Sequence, residues 1–234
     1  MPTEFLRVTD LHAFYGESHI LHGVDFHVNR GEVVTLLGRN GAGRTTTLRA
    51  LMGLVGRRSG SIMIRGSEAI GLQPHRIARL GVGFCPEERG IYASLSTEEN
   101  LLLPPLVASG GMTLEEIYKI FPNLRERRAA PGTRLSGGEQ QMLAVARILR
   151  SGATLLLLDE ISEGLAPVIV QALSRLIHTL RAKGYTIVMV EQNFRFALPL
   201  ADRFYLMEHG QITEEFTAAQ LTDKMSMLEA RLGV

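Results

Sequence analysis

The stretch that most constrains this chain is Gly38-Arg39-Asn40-Gly41-Ala42-Gly43-Arg44-Thr45-Thr46. Ahead of it runs Val33-Val34-Thr35-Leu36-Leu37, which reads as a buried strand, and behind it residues 47–52 read as a helix. Glycines in such a strand-to-helix turn let the backbone curl so that several N–H groups face one concavity, and the new helix adds its positive end. That nest binds phosphate oxygens. Thr45 stands where a hydroxyl can complete the shell of a magnesium ion bridging the last two phosphates of a nucleotide. One position departs from the phosphate-loop pattern G-x-x-x-x-G-K-[ST]: Arg44 occupies the lysine position. Arginine keeps the charge and can fork onto phosphate, but its long planar head does not simply replace a compact ammonium.

A chain of 234 residues has room for one large α/β domain or two small ones, with an ample core. Its formal net charge of +1 supplies no overall field for nucleic acid, and the basic clusters Arg57-Arg58 and Arg125-Glu126-Arg127-Arg128 read as solvated faces. No nucleic-acid partner is therefore expected. The single cysteine, Cys85, excludes an internal disulfide framework. The opening Met1-Pro2-Thr3-Glu4-Phe5 lacks the layout of a signal peptide, so the cytosol is the expected compartment. No apolar run reaches the ~18 to 20 residues that cross a bilayer, so any work at a membrane would go through a partner.

Residues 5–8 and 20–28 alternate apolar and polar side chains and read as antiparallel strands with one wet face, with Phe14-Tyr15-Gly16 as a loop between them. Ser59-Gly60-Ser61 reads as a turn into a strand at 62–66. Residues 74–80 read as a short helix, and 82–85 as a buried strand feeding the charged loop Pro86-Glu87-Glu88-Arg89-Gly90. From there the character becomes helical. Ser96-Thr97-Glu98-Glu99 and Thr113-Leu114-Glu115-Glu116 carry the capping-box pattern, Pro104-Pro105 stops the first helix, and Ser109-Gly110-Gly111 separates the two. The apolar set Leu101, Leu102, Leu103, Leu106 and Val107 is either core or a docking face.

Leu135-Ser136-Gly137-Gly138-Glu139-Gln140 leads into an apolar helix at 142–149, a second helix start suited to an anion. Thr154-Leu155-Leu156-Leu157-Leu158-Asp159-Glu160 is an apolar strand that ends in adjacent carboxylates. Asp159 can hold magnesium, and Glu160 can polarise a water for attack on a γ-phosphate. A helix at 168–181, a strand at 186–190 ending in Glu191-Gln192-Asn193, strands at 203–207 and 211–213 and an amphipathic helix at 218–232 complete the chain.

This ordered set resembles the nucleotide-binding subunit of an ATP-binding cassette (ABC) transporter along essentially the whole chain. Residues 38–46 match its phosphate loop except at Arg44, 135–140 match its signature motif, and 155–160 match the Walker B strand with its catalytic glutamate. Pro86-Glu87-Glu88-Arg89, Ser162-Glu163-Gly164-Leu165-Ala166-Pro167 and Val190-Glu191-Gln192-Asn193 are similar to the branch that imports branched-chain amino acids, with urea and amide importers as near alternatives. The resemblance implies an α/β P-loop cassette with an antiparallel β subdomain and an inserted helical subdomain. The whole of 1–234 would be a single ABC ATPase domain, with the helical part at about 91–150 holding the signature motif.

The resemblance also implies roles. Tyr15 would stack on adenine, while Gly38, Arg39, Asn40, Gly41, Ala42, Gly43, Arg44, Thr45 and Thr46 would wrap the phosphates of ATP. Thr45, Asp159 and Glu87 would serve Mg2+, Glu160 would be the general base, and Gln192 and Glu87 would complete the catalytic set. Ser136, Gly137, Gly138 and Glu139 would cap the ATP held by a second, facing cassette. Transmembrane permease subunits and a solute-binding protein are the further partners it implies, which would place the chain on the cytoplasmic face of the cell membrane. Three positions depart from the family pattern: Arg44 for lysine, Glu87 for glutamine and Gln192 for histidine. Ionised Glu87 can only accept hydrogen bonds, and Gln192 keeps donors but does not titrate.

Overall fold

The computed structural model describes residues 3–232. The outermost positions of the expected domain, 1–2 and 233–234, lie outside the described residues. Two sheets form the framework. β1 (Glu4–Tyr15), β2 (Ser18–Asn29), β4 (Arg57–Ile64) and β5 (Ser67–Glu68) make an antiparallel sheet in the order β2-β1-β4-β5. β3 (Val33–Leu37), β6 (Val82–Cys85), β7 (Leu155–Asp159), β8 (Thr186–Val190), β9 (Arg203–Glu208) and β10 (Gln211–Thr217) make the second, in the order β10-β9-β3-β8-β7-β6. All neighbours in this sheet run parallel except β10 against β9.

The continuous apolar runs explain the burial of the central strands, because both faces of the parallel sheet are covered. Along β7, Leu155 and Leu157 enter the core shared with the antiparallel sheet, while Leu156 and Leu158 enter the core shared with the helices. The first core also takes Leu48 and Leu51 of α1 (Arg44–Leu51). α6 (Gly137–Arg150) and α7 (Pro167–Ala182) pack into the second. Parallel strands bring their carboxyl ends to one edge, so the segments after β3, β6, β7 and β8 converge there.

The helical stretch between β6 and β7 follows its caps. Ser96 opens α3 (Thr97–Leu102), Thr113 opens α4 (Leu114–Ile120) and Ser136 opens α6, each through a reciprocal capping box. α5 (Pro122–Glu126) begins on its proline. α2 (Pro74–Arg79) starts in the same way, and α8 (Phe194–Ala197) and α9 (Leu221–Leu232) lie in the C-terminal third.

Three local readings change. Phe14 and Tyr15 belong to β1 rather than to a loop, because Phe14 stacks on His19 across the hairpin at 4.1 Å and 10°. Ser59-Gly60-Ser61 lies inside β4, where Gly60 has φ +103 and leaves only 2.2 Å between an added Cβ and the Asp10 carbonyl oxygen. Glycine serves here as a point of close strand approach rather than a turn. The expected helix at 218–232 opens as a 3-10 turn, Ala218–Gln220, capped by Thr217, before α9.

Candidate functional site

Gly43 adopts a left-handed conformation (φ +102), and α1 starts immediately afterwards at Arg44, three residues earlier than the apolar spacing alone suggests. Arg44 and Thr45 therefore sit in the first helical turn, beside a cavity of about 400 Å3. Asn40, Gly41, Ala42, Gly43, Arg44, Thr45 and Thr46 line one wall; Glu87, Glu160 and Gln192 arrive from the ends of β6, β7 and β8. Glu163 and Ile20 complete the lining. No phosphate-loop or strand-ending carboxylate pattern in the sequence marks either residue.

The dominant contact is a buried ion pair. Arg44 Nη2 donates to Glu160 Oε1 at 2.8 Å and to Asn40 Oδ1 at 3.2 Å, with the Arg44 and Glu160 side chains 4% and 9% exposed. Arg44 Nη1 is buried and has no protein acceptor. A guanidinium nitrogen left without a partner beside a curled, glycine-rich loop suits a phosphate oxygen. Glu160 itself takes a left-handed backbone, φ +48, and its N–H donates to the Val190 carbonyl at 2.9 Å.

Thr45 Oγ1 donates to Asp159 Oδ1 at 3.0 Å. Burial pushes the Asp159 carboxyl up to about 6, opposed by the Thr45 hydroxyl and reinforced by the charge of Glu87. One hydroxyl and one buried carboxylate form an oxygen donor pair suited to Mg2+, which takes few protein ligands and leaves room for phosphate oxygens and water. Among the described residues, no cluster of three or more His, Cys, Asp or Glu side chains forms a metal cage. For Glu160, burial and the shared hydrogen bond with Glu163 push the carboxyl above its ordinary value, against the pull of Arg44.

Gly38 and Arg39 line a different cavity, with Glu208, His209 and Arg231, of about 550 Å3. Gly38 is required by packing: a Cβ there would sit 2.5 Å from the Met207 carbonyl oxygen. Tyr15, 44% exposed, ends β1 outside the phosphate-loop cavity and acts on Arg49, whose guanidinium it holds above its ordinary value. Ser136, Gly137, Gly138 and Glu139 lie outside the cavity as well, with Ser136 and Gly137 exposed at the start of α6. The Glu139 carboxylate is committed to the cap, accepting the Ser136 N–H at 2.7 Å. Arg89 joins the two regions, donating from Nε to Gln141 Oε1 at 3.2 Å and from Nη1 to Gln140 Oε1 at 3.4 Å. Arg147 stands over the Tyr92 ring at 5.5 Å and donates to the Gly90 carbonyl at 2.5 Å, which holds the 86–90 loop on α6.

Residues 21–163 match the family model described as ABC transporter. The chain is 42% identical over 223 residues to the high-affinity branched-chain amino acid transport ATP-binding protein BraG of Pseudomonas aeruginosa, covering 94% of this chain and 96% of that one. It is 31% identical over 235 residues to the lipopolysaccharide export system ATP-binding protein LptB of Acidithiobacillus ferridurans, covering 99% and 98%. Its backbone is similar to the crystal structure of a nucleotide-free ATP-binding cassette from an ABC transporter, with a TM-score of 0.85 over 99% of both chains at 22% identity.

Proposed function

The chain belongs to the ABC transporter family, and from that premise we propose that it is the ATP-hydrolysing subunit that powers uptake of branched-chain amino acids through separate membrane subunits. The observation that carries the ATPase reading is the convergence of Arg44, Thr45, Glu160 and Gln192, drawn from three strand ends, on one loop-lined cavity, with Asp159 bonded to Thr45 behind its wall. Asn40 to Thr46 hold the phosphates, with the α1 N-terminus and Arg44 stabilising negative charge. Thr45 and Asp159 are the residues that would hold Mg2+, which would supply positive charge to offset that of the phosphates. Glu160 accepts the proton of the attacking water, a role suited to a carboxyl raised by burial. Gln192 and Glu87 orient the water and the γ-phosphate from the cavity wall.

Ser136 and Gly137 are exposed at the start of α6, away from their own cavity, with Gly138 buried behind them, which supports a head-to-tail pair of cassettes, each capping the other's ATP. Tyr15 is the proposed adenine platform, an exposed ring at the end of β1. Leu54, Tyr92, Leu102, Leu103 and Leu106 are exposed near a groove that Arg49, Leu54, Glu88, Pro104 and Arg147 help to line. This face is the proposed seat of the permease, an assignment that fits an exposed apolar patch rimmed by charge. No helix among the described residues is long and apolar enough to cross a membrane. A solute-binding protein would deliver the amino acid on the far side, and the chain would sit on the cytoplasmic face.

The solute rests on the likeness to BraG; that to LptB supports a lipid-linked cargo less strongly, and urea or short amides remain the nearest small-molecule alternatives. A second reading draws on the Arg44–Glu160 pair. A base held by a guanidinium is a poor base, so the chain would bind ATP and leave most hydrolysis to a non-identical partner cassette. Magnesium-dependent ATP hydrolysis by the purified chain, beside Glu160→Gln and Arg44→Lys, separates the two. Activity abolished by Glu160→Gln supports the first reading; activity appearing only in Arg44→Lys supports the second. Stimulation of the permease-bound chain in proteoliposomes by leucine, and not by urea, would support the proposed solute.

A further inference from the structure

Glu191 places a carboxyl group at a position 1% exposed, directly after β8 and directly before Gln192. A buried carboxylate is costly unless strong donors meet it, and an apolar side chain would fill the space with less penalty. Both of its oxygens are met by one residue. Ser162 Oγ donates to Glu191 Oε2 at 2.7 Å, and the Ser162 backbone N–H donates to Oε1 at 3.3 Å. Ser162 stands two residues beyond Glu160.

The backbone between them is the reason this matters. The β7–β8 ladder ends at the Asp159–Val190 pair, and Glu160 then turns into a left-handed conformation at φ +48. Such a conformation is strained for a non-glycine residue and persists only where its surroundings over-determine it. On one side the Glu160 N–H is held by the Val190 carbonyl at 2.9 Å. On the other, Ser162 is held by Glu191. Residues 190 and 191 thus grip the strained turn from both ends, and the next residue in that strand end, Gln192, lines the same cavity as Glu160. The charged groups acting on Glu191 are Glu160, from the turn, and Arg44, from α1.

We propose that Glu191 is a positioning residue for hydrolysis: by holding Ser162 it fixes the Glu160 turn against the strand end that presents Gln192, so that base and γ-phosphate contact keep one separation. This rests on reading the cavity as an ATP-hydrolysing site. Misplacing a reacting group by a fraction of an ångström to 1 Å costs up to about a hundredfold in rate without disturbing phosphate binding, which depends on the separate loop 40–46.

The test uses the full chain with Glu191→Ala, Glu191→Gln and Ser162→Ala. Steady-state hydrolysis gives kcat and KM, a fluorescent ATP analogue gives nucleotide affinity, and amide hydrogen exchange reports on 160–163. Glu191→Ala is expected to lower kcat about 10- to 100-fold while KM and nucleotide affinity stay within about twofold, and to speed exchange of the Ser162 amide at least about tenfold. Ser162→Ala should show a smaller fall in kcat, since its N–H remains. Glu191→Gln, which keeps an acceptor for that N–H and can donate to the hydroxyl, should recover most of kcat. A kcat in Glu191→Ala within about twofold of the parent overturns the proposal, as does parallel loss of kcat, nucleotide affinity and thermal stability with no recovery in Glu191→Gln. If the parent itself does not hydrolyse ATP, the functional reading fails separately. The exchange measurement then decides alone: unchanged protection at 160–163 in Glu191→Ala overturns the tether, and faster exchange confined to that segment supports it.

Discussion

Replacing Arg44 by methionine keeps most of the side chain's length and removes its charge, leaving the Glu160 carboxylate, 9% exposed, without its guanidinium. Removing one member of a buried pair typically costs about 3 to 5 kcal/mol, because the remaining charge stays desolvated. Glu160 has an escape, since burial already pushes its carboxyl upward and it can take a proton. Keeping a carboxyl of ordinary pKa protonated at pH 7 costs roughly 3 to 4 kcal/mol, and this caps the penalty. For a chain of this size about 1 kcal/mol corresponds to 2–4 °C, so nucleotide-free Arg44→Met should melt below the parent at pH 7 by up to roughly 15 °C, less the share of the cost that the parent's own raised carboxyl already carries. The sign with pH follows from the raised carboxyl. In the variant the folded state binds the proton more tightly than the unfolded chain, so the penalty is largest above the folded pKa and fades as pH falls towards the unfolded value. Burial raises this carboxyl in the parent as well, with Arg44 opposing it, so the two proteins share part of the relief and at pH 5.5 the deficit should shrink by no more than roughly 2 kcal/mol. Adding Glu160→Gln removes the stranded charge and should recover at least about half of the loss. Differential scanning calorimetry of the parent, the single variant and the double variant at both pH values measures all three quantities. An Arg44→Met protein as stable as the parent at pH 7, or a double variant no more stable than the single, would refute the reasoning that this pair governs the unliganded site.

Gly60→Ala should destabilise the antiparallel sheet by about 2 kcal/mol or more, because its Cβ would press on the Asp10 carbonyl at a left-handed backbone position; urea unfolding reads this directly. Ser136→Ala should cost about 1 kcal/mol of stability through the lost α6 cap, and should lower ATP-driven dimerisation in light scattering if the signature helix caps a partner's nucleotide. Burial pushes Glu191 up to about 8, so its charging penalises the fold above that pH and the penalty vanishes as pH falls towards 4.5. A Glu191→Gln protein should accordingly gain stability over the parent at pH 9 and lose that advantage by pH 5, as followed by thermal melts.

Much of the framework could be read along the chain. The capping boxes at Ser96, Thr113 and Ser136, the proline stops and the apolar strands at 33–37 and 155–159 all lie where their local chemistry places them. Each is set by hydrogen bonds and side-chain periods spanning three or four residues. The strand-ending Asp159 and the glycine-rich turn into α1 were legible for the same reason. The local misreadings share a cause. Gly60 looked like a turn because its constraint, the Asp10 carbonyl, comes from another strand, and Phe14 looked like a loop because its partner His19 lies across the hairpin.

Local patterns along the chain set the elements, their caps and the chemistry available at the carboxyl ends of the strands. Which of those groups meet depends on how the strands are ordered. Strand order β3-β8-β7 carries Glu160 to Arg44 across 116 residues and Asp159 to Thr45 across 114, turning an arginine that keeps the loop's charge into the partner of the candidate base. The same order sets Ser162 on Glu191 and leaves Ser136 facing solvent. Local patterns hold no record of these pairings because they depend on register and packing between segments distant in the chain, which become fixed only when both faces of the sheet are buried.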